Sequence, residues 1–504
     1  MPRQYIALPT AAPRQQGGDI RLRCPACGES SSMAGLEAQA MVCGWCDFHL
    51  PLEAGPHSEL LVDEGSFRPL EAAPAGPVRL GWATLSGRPL AVAVSGPASR
   101  WSAPEIGALA ALAEQAGRER RPLLWVVTAA QGVAAPLQWP GLQIALGRVG
   151  EAGPEHSRGT PAPWIALVSG PVYGPAAALA TQADLVLAEP GAVLAPVLPE
   201  VLRPAGRLPL ASTRSPQQLL REGWADAVVP RHEQRTAVAE LLELLGSAGA
   251  DAVMPPAAAP GRSVELAVRA ARARGTPAAG ESCGLLERLA PFYELAGDRQ
   301  SADDPALVGG LARGPDGLPV LVLATACGER RAEVRRRRAG AIGAAGWRKA
   351  TRLLRLAGRF NLPVVLLVDR PALRTGGRGE PSEAATALGE MAHVLLTIPV
   401  PTVALRTAAG EDAATLALSL ADALLAPEEL APRLQEEGWP VSGTWGAGEL
   451  DAQLARVLEA LRQDYLRHGA LGRRALAQHR YLCWTRLSPV SSSSDPATWA
   501  FPQR

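Results

Sequence analysis

The residues best suited to chemistry in this chain are four clustered cysteines. Cys24, Cys27, Cys43 and Cys46 follow the pattern C-x2-C-x15-C-x2-C. Each C-x2-C turn offers two thiolates to one ion, and two such knuckles complete the tetrahedral shell that zinc prefers. A closed four-sulfur shell leaves no position for a substrate, so the expected metal is a structural zinc; a redox dithiol pair is the alternative reading of the same spacing. His49 and His57 lie close by but are superfluous beside four thiolates, and they read as ordinary surface histidines. Cys283, Cys327 and Cys483 are scattered singly and read as small core residues. His156, His232, His393, His468 and His479 show no metal-ligand spacing and read as structural.

The elements that would position any further chemistry come from an internal repeat. In the first half, Pro163-Trp-Ile-Ala-Leu-Val168 leads through Gly170 and Gly174 into an Ala-rich stretch ending at Asp184. In the second, Pro401-Thr-Val-Ala-Leu405 leads through Gly410 and another Ala-rich stretch to Asp422. Upstream, the apolar runs Leu90 to Val94 and Leu123 to Val127 are matched by Val320 to Ala324 and Val364 to Val368. Short continuous apolar runs alternating with longer helical stretches indicate buried parallel strands with helical crossovers, hence two copies of one α/β unit. Met254-Pro-Pro-Ala-Ala-Ala-Pro-Gly261 has the composition of a linker between them.

Composition narrows the function classes. The chain has 504 residues, room for two to four domains. Its 50 basic and 49 acidic side chains give a net charge of +1, which argues against a nucleic-acid or polyanion binder. Lys349 is the only lysine; all other strongly basic residues are arginine. No apolar run approaches the ~18 residues of a membrane span, and the first residues lack the apolar core of a signal peptide. The expected location is the cytoplasm, with no membrane partner.

A cysteine module, an α/β unit, a linker and a second α/β unit is the order expected for fused carboxyltransferase subunits of bacterial acetyl-CoA carboxylase, β before α, and the sequence resembles both. On the β side the strings are Asp63-Glu-Gly-Ser-Phe67, Ala183-Asp-Leu-Val-Leu-Ala-Glu-Pro190 and Leu220-Arg-Glu-Gly-Trp-Ala-Asp-Ala-Val-Val-Pro-Arg231. On the α side they are Ala290-Pro-Phe-Tyr-Glu-Leu-Ala-Gly-Asp-Arg299, Ala302-Asp-Asp-Pro-Ala-Leu-Val-Gly-Gly-Leu-Ala312 and Gly346-Trp-Arg-Lys-Ala-Thr-Arg-Leu-Leu354. The resemblance implies an α/β protein with two crotonase-like (ββα superhelix) domains in tandem after a four-cysteine zinc ribbon. The expected boundaries are ribbon 20–56, β-like domain 57–250, linker 251–262, α-like domain 263–470 and tail 471–504. It implies transfer of CO2 from carboxybiotin on a separate carrier protein to acetyl-CoA or another acyl thioester. Biotin carboxylase would act as a further partner and the chain would form a homo-oligomer.

The glycine-rich site loops depart from the family. The loop beyond Val127 reads Thr128-Ala-Ala-Gln-Gly-Val-Ala-Ala135, and the second β-side pair reads Gly174-Pro175, where proline has no N–H to donate. The α-side loops read Arg370-Pro-Ala-Leu-Arg-Thr-Gly-Gly-Arg-Gly379, shortened, and Thr407-Ala-Ala-Gly-Glu-Asp-Ala-Ala414. The stretches after Ala426 and between Glu71 and Gly81 are also abbreviated. An enolate needs paired N–H donors, so Gly174, Ala413 and Ala414 are the oxyanion-hole candidates. Arg331, Arg335 and Arg338 are expected to share a helix face and are candidates for CoA phosphates; a solvated face and nucleic-acid binding are the competing readings. Three functions remain open from the sequence. They are carboxyl transfer, altered thioester chemistry such as biotin-independent decarboxylation, and a non-catalytic pseudo-subunit that regulates an active carboxyltransferase. No biotinyl-lysine motif surrounds Lys349, so carboxylation would require a separate carrier.

Overall fold

A computed structural model describes residues 20–71, 73, 76–97, 101–129, 139–149, 161–195, 216–246, 289, 291–315, 317–326, 331–369, 372–373, 380–409, 412–446 and 449–469. The expected linker and tail, and the three single cysteines, lie outside them.

The chain opens with strands β1 (Arg21–Arg23) and β2 (Ser30–Ser32), paired antiparallel, then helices α1 (Met33–Ala38) and α2 (Ala54–Leu61). Ser32 caps α1 by accepting the Gly35 N–H at 3.1 Å. The first α/β unit runs β3 (Arg68–Pro69), β4 (Val78–Leu85), β5 (Arg88–Ser95), α3 (Ala103–Glu119), β6 (Leu123–Ala129), α4 (Trp139–Val149), β7 (Trp164–Tyr173), α5 (Pro175–Ala180), β8 (Leu185–Ala188), β9 (Val193–Ala195), α6 (Pro216–Arg221), β10 (Ala227–Val228) and α7 (Gln234–Gly246). The second runs β11 (Phe292–Glu294), β12 (Leu307–Arg313), β13 (Pro319–Thr325), α8 (Arg331–Arg336), β14 (Ala341–Ile342), α9 (Ala344–Phe360), β15 (Val364–Val368), β16 (Ala372–Leu373), α10 (Glu380–Thr397), β17 (Thr402–Arg406), α11 (Ala413–Leu418), β18 (Ala423–Pro427), α12 (Ala431–Glu436), β19 (Val441–Trp445) and α13 (Leu450–Gly469).

The two large sheets share one plan. Their orders are β3-β4-β5-β6-β7-β8-β10 and β11-β12-β13-β15-β17-β18-β19. In each, the first two pairings are antiparallel and the next four parallel. The repeat seen in the sequence extends to single hydrogen bonds. Asp184 accepts the Trp164 N–H at 2.8 Å, and Asp422 accepts the Thr402 N–H at the same distance.

Apolar runs without alternation form strands because both faces are covered. In the first sheet Val92, Val94, Val126 and Leu167 join a cluster that includes Leu241 and Leu245 of α7. Ala93, Trp125, Val127 and Val168 on the other face pack with Leu109 and Leu112 of α3. α3 begins where its sequence says it should: Ser102 and Glu105 form a capping box, and the helix ends at Arg120 in the left-handed region. The first of these clusters continues through Leu295, Leu307 and Leu311 into Trp347 and Leu353 of α9, so one core spans both halves.

The halves meet along two of the strings noted above. Gly223 and Gly297 both have positive φ, and a Cβ on Gly297 would lie 2.5 Å from the Gly223 carbonyl oxygen, so neither position accepts a side chain. Across this contact the Arg299 N–H donates to Gly223 O at 2.9 Å, and the Ala296 N–H to Asp226 O at 2.9 Å. The Asp226 carboxylate is buried and takes the guanidiniums of Arg299 and Arg352 as well as the Val186 N–H. Arg348 ties Asp298, and Lys349 donates to Asp303 Oδ1 and Leu307 O, both at 2.7 Å.

Arg359 of α9 reaches back to Asp184 at 3.2 Å. Burial is the main influence on this carboxyl, and with Asp226 nearby it outweighs Arg359 and Arg299 and pushes the pKa up to about 6. An unfolded aspartate titrates near ~3.9. Between about pH 4 and 6 the folded chain therefore holds a proton that the unfolded chain has released, and this group's effect on stability turns unfavourable as pH rises. The unfolding free energy of Asp184→Asn relative to the unsubstituted chain is expected to increase by about 2 kcal/mol between pH 4 and 7. Urea titrations at the two pH values check this, and a pH-independent difference would contradict it.

Candidate metal centre and site turns

The cysteine knuckles are built alike. In the first, the Gly28 N–H donates to Cys24 O at 2.9 Å; in the second, the Asp47 N–H donates to Cys43 O at 2.9 Å. Gly28 and Asp47 both have positive φ, which closes each turn under its sulfurs. The four Sγ atoms lie within 4.8 Å of one another. Cys24 and Cys46 are 3.6 Å apart, and Cys27 and Cys43 are 3.8 Å apart. Zn–S bonds of ~2.3 Å in a tetrahedron give sulfur separations of about 3.8 Å, so the donor set and spacing fit zinc. The Trp45 N–H helps to lower the Cys43 thiol to about 7, whereas burial pushes the Cys46 thiol up to about 12.

The expectation that His49 and His57 are surface histidines is overturned. Their side chains are buried around Glu189. Arg231 grips that carboxylate with Nε at 2.9 Å and Nη2 at 2.6 Å, while its Nη1 donates to Ala40 O at 2.7 Å and Leu50 O at 3.0 Å. Gln234 donates to Glu189 Oε1 at 2.9 Å and accepts from His57 Nε2 at 3.1 Å. Burial alone would raise the Glu189 carboxyl, but the approach of His49 at 3.4 Å and the hydrogen bonds and charge of Arg231 hold it below the usual carboxylate range. Desolvation lowers the His57 pKa, favouring the neutral ring. The signal available beforehand was a single charge closing each of two apolar strings, Leu-Val-Leu-Ala-Glu189 and Ala-Val-Val-Pro-Arg231. Buried charges of this kind require partners.

The three oxyanion candidates sit at two helix starts. Gly174 has φ +64 and precedes Pro175, the first residue of α5. Its N–H donates to Ala195 O at 2.9 Å, and Pro175 has none to give. Ala413 opens α11 in the corresponding place of the second unit. There Asp412 accepts the Ala414 N–H at 2.8 Å and the Thr415 N–H at 3.0 Å through one carboxylate oxygen. The structure therefore forms both helix-start turns but engages the N–H groups of Gly174 and Ala414 internally. Loop residues 130–135, 370–371, 374–379 and 410–411 lie outside the described residues.

Residues 267–429 match the acetyl co-enzyme A carboxylase carboxyltransferase-like family model. The acetyl-coenzyme A carboxylase carboxyl transferase subunits beta/alpha of Salinispora arenicola is 34% identical over 511 aligned residues, covering 90% of this chain and 88% of that protein. This chain belongs to that family. A protein of the same name from Frankia alni is 34% identical over 75% of this chain and 68% of its own length. Among solved structures, a transcarboxylase 12S with methylmalonyl-coenzyme A bound superposes with a TM-score of 0.63 at 17% identity, over 82% of this chain and 90% of that one. A single-chain, multi-domain long-chain acyl-CoA carboxylase gives a TM-score of 0.58 at 20% identity, over 87% of this chain and 46% of that one. The fold is thus that of the tandem carboxyltransferases.

In this carboxyltransferase chain the basic run does not form the expected face. α8 ends at Arg336, and Arg338 lies in a short 3-10 turn with φ +48, where it pairs with Asp304 at 3.2 Å. Arg331 and Arg335 are exposed on α8. The sequence does not single out Arg337, which is 1% exposed, has buried Nε and Nη1 atoms without a hydrogen-bond partner and forms no ion pair among the described residues. Consecutive arginines look alike in sequence, and only the break in the helix after Arg336 turns this one inward.

Two outcomes are expected. Purified chain never exposed to chelator should carry one zinc per polypeptide, and Cys24→Ser or Cys46→Ser should loosen the first ~60 residues while strands β5 and β6 stay folded; elemental analysis finding no zinc would contradict the assignment. Because Arg337 is buried with no ion pair among the described residues, and a buried charge is often matched or bettered by an apolar side chain of similar volume, Arg337→Met should raise the unfolding free energy by about 1–4 kcal/mol. Urea denaturation in anion-poor buffer measures this, and a loss of stability would mean that the guanidinium is satisfied.

Proposed function

We propose that the chain is a carboxyltransferase-family protein that binds an acyl-CoA thioester and acts in the cytoplasm beside a biotin carrier protein and biotin carboxylase, with its own carboxyl transfer weakened. The acyl-CoA and biotin elements rest on family membership and on the names of its relatives. Assembly of copies of the chain is part of the same reading, supported by the hexamer described for the transcarboxylase neighbour.

The observation that carries the weakened transfer is the Asp412 cap. Carboxyl transfer develops negative charge on an oxygen that must be met by aimed N–H donors. At α11 a carboxylate of the chain itself already holds the N–H of Ala414, one of the two candidate donors there, together with that of Thr415, and a second anion there would face a like charge. At α5 the Gly174 N–H is bonded to Ala195 O and Pro175 contributes no donor. The backbone at α11 does accommodate Cβ atoms at Ala413 and Ala414, since both continue a regular helix. Alanine in place of glycine is therefore the lesser change. The residues that would meet CoA phosphates are Arg331 and Arg335 on exposed α8, with Arg337, which has no ion pair among the described residues, gaining most from an anion. Zinc, held by Cys24, Cys27, Cys43 and Cys46, would supply structure and no reaction step.

A role as a pseudo-subunit that tunes an active carboxyltransferase draws on the same cap. It differs from a weak enzyme in what an assay with purified chain, biotin carrier, biotin carboxylase and acetyl-CoA returns. Malonyl-CoA is expected at or near background. Loss of one oxyanion donor lowers rates roughly 100- to 1,000-fold, so Pro175→Gly alone should recover little, and adding Asp412→Gly should recover more than either change by itself. Turnover by the unsubstituted chain on the order of 1 per second or more would restore the intact-enzyme reading.

A further inference from the structure

We propose that Arg231 and Glu189 are positioning residues through which the cysteine ribbon holds the Gly174-Pro175 turn in place. Arg231 belongs to the first α/β unit, yet two of its bonds end on carbonyls of the ribbon. Ala40 O and Leu50 O flank the knuckle formed by Cys43 and Cys46. Those carbonyls keep their places only while that knuckle is folded: the Cys43 N–H donates to Phe48 O at 2.9 Å, and the Leu50 N–H to Met41 O at 2.9 Å. The ribbon thereby supplies half of the hydrogen bonds seen at the guanidinium of a side chain that is 1% exposed. With the ribbon unfolded, Arg231 would leave two donors unmet and would compete for water at the expense of its grip on Glu189.

Glu189 passes the constraint onward. Its own N–H donates to Val168 O at 2.9 Å, and its carbonyl accepts the Ala192 N–H at 3.0 Å across a tight turn with Pro190 and a positive-φ Gly191. That turn launches β9, which pairs with β7 through Pro171 to Val193, Val172 to Leu194 and Tyr173 to Ala195. The last carbonyl of β9, Ala195 O, takes the Gly174 N–H. A continuous path of buried hydrogen bonds therefore runs from the metal knuckle through Arg231 and Glu189 to β9 and the helix start at 174. Among the described residues β9 spans Val193–Ala195 and pairs with one strand, β7, and the turn at Glu189 fixes its upstream end. The anchoring carboxylate at its upstream end is the one the ribbon helps to hold.

The inference uses the reading of the Gly174 turn as the acyl-thioester turn, but its test reads no activity, so a failed carboxylation assay and a failed coupling are separate results. Hydrogen exchange by mass spectrometry on the full chain compares zinc-loaded protein, chelator-treated protein, Arg231→Met and Arg231→Lys, with zinc content measured for each. Opening of a local unit raises exchange only where that unit is protected. Chelation and Arg231→Met are expected to speed exchange roughly tenfold or more in segments 172–174 and 192–195 while strands β5 and β6 stay protected. Arg231→Met should do so even where zinc is retained. Arg231→Lys, which keeps a cation for Glu189 but cannot fork to both carbonyls, should fall between. Faster exchange confined to residues 24–50 would make the ribbon autonomous and overturn the proposal, and so would uniform acceleration across the whole body. If neither variant folds, chelation of the unsubstituted chain decides.

Discussion

Gly223 and Gly297 touch backbone to backbone, and everything else about the joint between the halves follows from how close that contact is. With no side chain on either residue, the neighbouring peptide groups exchange hydrogen bonds and Asp226 comes within reach of both Arg299 and Arg352. A buried carboxylate between two guanidiniums is tolerable only when its oxygens are all engaged, and here Val186 adds an N–H. Removing any one partner would leave the others charged and dry. The seam thus makes the two α/β units interdependent: their sheets are separate, but their charges are balanced across the contact and one hydrophobic cluster crosses it.

This explains which strings of the sequence carried the resemblance. Leu220 to Arg231, Ala290 to Arg299 and Gly346 to Leu354 supply Gly223, Asp226, Gly297, Arg299 and Arg352, the parts of the seam. They are specific because a close approach and a buried charge each admit few residue types.

The repeat was legible in the sequence because both copies bury both faces of their strands, leaving apolar runs of similar length and two aspartates at matching places. The metal ligands were legible because cysteine pairs at that spacing have few other uses. The Asp412 cap was not recognised, although an acid before an Ala-rich helix is a capping signal; the missing glycines of the same loop obscured it. The inward turn of Arg337 and the burial of His49 and His57 depend on contacts between segments far apart in sequence. His57, for example, meets Gln234, 177 positions away. No periodicity within one element records such a meeting.

Lys349 adds a chemical consequence. It is the only lysine in the chain, and it is wholly buried, with its ammonium bonded to Asp303 and Leu307. Acyl thioesters slowly acylate free amines, and surface lysines are where such adducts collect. The folded chain exposes no lysine amine to this wear. An acyl mark at position 349 would require α9 to have come away from β12 first, and the modification state of that one nitrogen would become a lasting record of past unfolding.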